Sequence, residues 1–68
     1  MDKEIIRNEK LYNLRKKRGE TQAEVAESVG ISASAYCMYE TGDRTPSPDV
    51  MKRLSKHFDR TVQFLFFS

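Results

Sequence analysis

The chain has one cysteine, Cys37, so no disulfide can form within it. A lone thiol fits a reducing compartment. No apolar run approaches the roughly 20 residues of a membrane span. The opening MDKEIIRNEK is charged throughout and holds no signal-peptide apolar region. A soluble, cytoplasmic protein is the expectation. Val, Ile and Phe never alternate at period two for long enough to propose a strand, so no sheet is proposed and an all-α fold is expected. There is no paired acid/base cluster, no Ser/His/Asp arrangement and no phosphate-cradling glycine loop, which argues against an enzyme. One Cys and one His far apart cannot make a zinc site. No cofactor, metal or small-molecule ligand is expected.

Neither sign of charge dominates. Twelve basic and ten acidic residues leave a net charge of +2, so composition alone does not mark a nucleic-acid binder. The distribution says more, because Arg15–Arg18 is an unbroken basic run, RKKR. Sixty-eight residues make one domain the expectation, with a core over about 9–66. Residues 1–8 are either an extension or the start of the first helix. An inducer-binding or protease-cleaved second domain is not expected in a chain this short, and its stability is expected to rest on compact packing or a partner subunit.

What is present is regular helix punctuation. The first helix starts at Asp2 or Asn8, both competent N-caps, and stops at Gly19. Leu11 and Leu14 supply its apolar face, joined by Ile5 and Ile6 if the helix is long. TQAE, Thr21–Glu24, is a capping box opening a second helix with Val25, Ala26 and Val29 inward. Gly30 ends it, since glycine turns sharply without strain. Ser32 caps a third helix over about 33–40. There Ile31, Ala35 and Tyr39 share the core face, flanked by Tyr36. Ala33, Cys37 and Thr41, with Ser34 and Met38 beside them, face outward. TGDRTPSP is a loop, Ser47 and Pro48 open a fourth helix with Val50, Leu54 and Phe58 inward, and Thr61 caps a short fifth one.

Two short helices about a glycine turn make a helix-turn-helix unit. Leu11, Leu14, Arg15, Gly19, Thr21-Gln22, Val25-Ala26, Gly30-Ile31-Ser32, Tyr39-Glu40, Gly42, Arg44, Pro46 and Leu54 follow one another in a recognisable order and spacing. With these residues the chain resembles the Cro/C1-type (XRE-like) helix-turn-helix family of phage repressors and bacterial regulators over about residues 9–66. The resemblance implies a compact five-helix, lambda-repressor-like domain. Its second helix would cross the DNA backbone and its third would enter the major groove. It also implies that Arg15 pairs with Glu40, tying the first helix to the end of the third.

Carried over position by position, the resemblance makes Ala33, Ser34, Cys37 and Met38 the base-reading residues, with Thr41 toward the backbone. They coincide with the outward face read from helical spacing. Thr21, Gln22, Thr41, Arg44 and Thr45 are the candidates for phosphate contact; a helix N-terminus with free N–H groups suits an anion. The chain departs from the family here. Between Gly30 and Gly42 it has no Arg, Lys, Asn or Gln, so no bidentate contact to guanine or adenine is available from this helix. Apolar contact with thymine methyls and readout of DNA shape are left. Cys37 is expected to be a small filler residue and His57 a solvated helix residue.

The ending VQFLFFS places Phe64, Leu65, Phe66 and Phe67 in a row, more than one small core can accept. Exposed apolar patches mark interfaces, so Phe64, Phe66 and Phe67 are expected to form a homodimer interface, with Arg60 standing where the family often has an apolar residue. The function expected is a small Cro-like repressor that binds a palindromic operator on double-stranded DNA as a dimer. The alternative is an interaction module whose third helix docks a protein, such as a toxin or another regulator.

Overall fold

The computed structural model describes residues 7–67. The elements in order are α1 (Glu9–Arg18), α2 (Gln22–Val29), α3 (Ala33–Thr41), α4 (Pro48–Phe58) and α5 (Gln63–Phe67), the last a single wide turn of π type. No strand occurs among the described residues. Asp2, Ile5 and Ile6 lie outside them.

Each helix boundary has a local chemical cause. The Asn8 side-chain oxygen accepts the Leu11 N–H at 3.0 Å and opens α1. Its Nδ2 donates to the Leu65 carbonyl at 2.9 Å, so the same side chain fastens α1 to α5. At α2 the Glu24 N–H donates to Thr21 Oγ1 at 3.0 Å, and the Thr21 N–H donates to the Glu24 carboxylate at 2.9 Å. Ser32 and Ser47 cap α3 and α4 in the same way, and Pro48 occupies the first turn of α4. Gly19 and Gly30 end α1 and α2 at φ 72° and 78°, the left-handed region that other residues enter at a cost. The third helix runs one residue past its expected end, to Thr41. Asp59 closes α4 at φ 57°, a conformation that Asp tolerates better than most side chains.

The core is formed by Leu11 of α1, Val25, Ala26 and Val29 of α2, Tyr36 of α3, Leu54 and Phe58 of α4, and Leu65 of α5. The α3 face differs from the sequence expectation. Tyr36, placed on the flank, is completely buried, whereas Ala35 and Tyr39, placed at the centre, are half-buried. A tyrosine can take the central place because its hydroxyl finds an acceptor there, the Glu40 carboxylate at 2.7 Å.

His57 corrects a second expectation. It is not solvated: its side chain is 12% exposed, and Nε2 lies 2.9 Å from Glu20 Oε1 in the α1–α2 turn. Arg18 bonds the same carboxylate oxygen at 3.1 Å. Burial alone would raise the Glu20 carboxyl, but His57 and then Arg18 outweigh it and hold it below the ordinary carboxylate range. Arg53 makes a comparable tie, donating from Nη1 to the Val29 carbonyl at 3.1 Å and so satisfying the C-terminus of α2 from α4.

Candidate nucleic-acid interface

α2 and α3 meet at Gly30, and the unit is held from behind by one carboxylate. Arg15 Nε donates to Glu40 Oε2 at 2.6 Å and Nη2 donates to Oε1 at 3.1 Å, a two-pronged pair between buried side chains. The third guanidinium nitrogen, Nη1, donates to the Glu20 carbonyl at 3.0 Å. The Tyr36 hydroxyl and the Gln22 amide, the latter at 3.0 Å, complete the set on Glu40. The Glu40 carbonyl meanwhile accepts the Asn8 N–H at 2.8 Å. One residue therefore joins α1, the start of α2 and the end of α3. Among the described residues no buried side-chain nitrogen or oxygen lacks a partner.

The electrostatics follow from this geometry. Burial by itself would raise the Glu40 carboxyl. The Arg15 guanidinium, the Gln22 amide and the Tyr36 hydroxyl outweigh burial and hold it below its ordinary range. Its hydrogen bond with Glu40 raises Arg15 further, against an opposing desolvation effect. Tyr36 is pushed well above its ordinary value, first by burial and then by the adjacent carboxylate. The cluster is thus one anion, one cation and two neutral donors, an arrangement that pairs a buried charge instead of stranding it.

With its inner side committed, α3 leaves a small-residue outer side. Ala33 and Ser34 are exposed; Cys37 and Met38 are half-exposed. Ala33 shares a hollow with Lys16, Thr21 and Gln22 at the N-terminus of α2. Thr21 is exposed there while its hydroxyl caps the helix. Gln22 faces two ways. Its amide donates one proton to Glu40, and an amide NH2 carries a second. The Thr41 hydroxyl donates back along α3 to the Met38 carbonyl at 3.2 Å. Arg44 and Thr45 stand exposed in the loop between α3 and α4.

The terminal aromatic residues separate. Leu65 is buried, Phe66 packs on the edge of the core, and Phe64 and Phe67 are 39% and 61% exposed. Phe66 and Phe67 border a groove of about 430 Å³ that also takes in Tyr39, Pro46 and Met51. Sequence reasoning missed the inward bond of Gln22 and the part played by Tyr36 in the Glu40 cluster. Only the four-residue spacing of Tyr36 and Glu40 could have signalled the latter.

A helix-turn-helix family model matches residues 11–65. The chain is 32% identical over 57 residues to the cryptic phage CTXphi transcriptional repressor RstR of Vibrio cholerae, covering 84% of this chain and 51% of that protein. It is 38% identical over 57 residues to the transcriptional regulator AnsR of Bacillus subtilis, covering 84% and 49%. It is 36% identical over 58 residues to the transcriptional activator BcrR of Enterococcus faecalis, covering 85% and 28%. The chain thus spans about half, or less, of the length of these relatives. Among solved structures, a complex of the SinR and SinI proteins superimposes with a TM-score of 0.81 at 25% identity, covering 93% of this chain and 62% of that one. Helices, glycine turn and match from α1 to α5 agree: the chain belongs to the helix-turn-helix family.

Proposed function

We propose that this chain is a DNA-binding regulator of transcription that seats α3 in the major groove, Ala33, Ser34, Cys37 and Met38 toward the bases. Thr21, Gln22, Thr41, Arg44 and Thr45 meet phosphates on either side. The observation that carries this reading is the pinned α2–α3 unit. Its buried polar groups are all satisfied from behind, and its outer face is small enough to approach base edges closely. Short and apolar side chains favour thymine methyls, and they leave much of the selectivity to DNA shape. The named relatives that regulate transcription support the same reading.

The repressor acts in the cytoplasm as a homodimer through Phe64, Phe66 and Phe67. Two-fold symmetry then sets two α3 helices about 34 Å apart on a palindrome, and bound protein blocks transcription by occlusion. Selection of bound duplexes from a random pool at two salt concentrations tests this reading. T-rich palindromic half-sites and steep salt dependence are expected; a guanine-dominated site read by α3 would refute the base assignment.

A second reading, a module that docks a protein, is favoured by the exposed Phe64 and Phe67 and by the SinR–SinI complex among the structural relatives. An apolar protein interface keeps its affinity as salt rises, whereas binding through several phosphates does not.

A further inference from the structure

Three cations from α1 and the residues just before it surround one aromatic ring, and among the described residues only one of them is paired with a carboxylate. The Arg7 guanidinium carbon lies 4.3 Å from the Tyr12 ring centroid, Arg15 lies 5.5 Å away and the Lys16 ammonium 5.9 Å away. Arg15 is already committed to Glu40 and the Glu20 carbonyl. Arg7 and Lys16 are exposed, and among the described residues neither pairs with a carboxylate. A ring face attracts a cation through its quadrupole but leaves the outer N–H groups open and the charge intact. A carboxylate partner would have cancelled that charge. Tyr12 is half-buried, with part of its ring open at the surface of α1.

The strip lies on the flank of the helix-turn-helix. Asn8, next to Arg7, donates its N–H to the Glu40 carbonyl at the end of α3. Lys16 walls the same hollow as Gln22 at the start of α2 and Ala33 at the start of α3. Two uncompensated cations on this side suit an extended anion that continues beyond the recognition helix.

We propose that Arg7 and Lys16, positioned by Tyr12, form a phosphate-binding strip that carries the contact with duplex DNA along α1. The inference rests on the DNA-binding reading above and adds residues to it. The ligand is the sugar-phosphate backbone, so the contact adds affinity without sequence preference.

The test is titration of a short duplex at salt concentrations from about 50 to 200 mM. R7Q and K16Q are each expected to make the slope of log K against log salt shallower by about 0.9, with effects that add in the double variant. K52Q removes the same charge from the corner of α4 and α5 and is expected to keep the wild-type slope. Y12L is expected to weaken binding at an unchanged melting temperature, and Y12F to restore it. Wild-type slopes in R7Q and K16Q, or an equal loss in K52Q, would overturn this proposal while leaving the DNA-binding reading standing. Absence of salt-dependent binding by the wild-type chain would remove both.

Discussion

Glu40 accepts hydrogen bonds from Arg15, Gln22 and Tyr36, so truncating it strands a buried guanidinium and two further donors. Glu40→Ala is expected to cost about 3–5 kcal/mol. For a domain of this size that lowers Tm by at least about 12 °C, which thermal melting would read directly. The folded-state carboxyl lies below its ordinary value of 4.5, so the unfolded chain takes up the proton more readily. Its contribution is therefore fully present above the unfolded value and is lost as pH falls below 4.5 through the folded one. Glu20, also lowered, acts with the same sign. Glu40→Gln cannot ionise. Its deficit in Tm relative to wild type is expected at neutral pH and should shrink as melts are taken down to about pH 3. A constant deficit would contradict the depressed carboxyl.

At the scale of the elements, the helices are held by their ends as much as by their faces. Thr21→Ala removes one half of the capping box and is expected to cost about 1 kcal/mol, roughly 4–8 °C in Tm. Gly30→Ala must place a side chain at φ 78°, with its Cβ 3.3 Å from Arg53 Nη1. The arginine tip can shift by the few tenths of an ångström required, so the backbone term dominates, about 1–2 kcal/mol. Gly19→Ala meets open space at a similar φ, so the two variants should melt within a few degrees of each other. A much larger loss at Gly30 would mean that the turn between α2 and α3 tolerates less adjustment than this geometry allows.

For the whole molecule, association and DNA binding are the properties that matter. Phe64 and Phe67 touch solvent in a single copy of the chain. Replacing both by Glu is expected to leave the melting temperature nearly unchanged, shift sedimentation to the monomer, and weaken binding to a palindrome far more than to a half-site. A wild-type chain that sediments as a monomer both free and on DNA would remove the dimer. Lys10, whose ammonium lies 4.9 Å from the Phe64 ring centroid, would face a carboxylate in that variant, so binding to the half-site is the control for the added negative charge.

Local signals were sufficient for the order of the helices, their caps at Thr21, Ser32 and Ser47, and the glycine stops, because each depends on atoms within a few residues. The resemblance carried by Arg15, Glu40 and the glycine turn reached as far as the family. The centre of α3 was not legible in the same way. Ala35, Tyr36, Cys37, Met38 and Tyr39 are apolar or aromatic all round the helix, so period alone cannot say which faces inward. Packing decided for Tyr36, because only there does a phenol meet a carboxylate that α1 has already charged and oriented. Gln22 to Glu40, Arg53 to Val29 and His57 to Glu20 span 18, 24 and 37 residues. Polar partners at such separations are set by the way the helices cross, and no spacing along the chain encodes them.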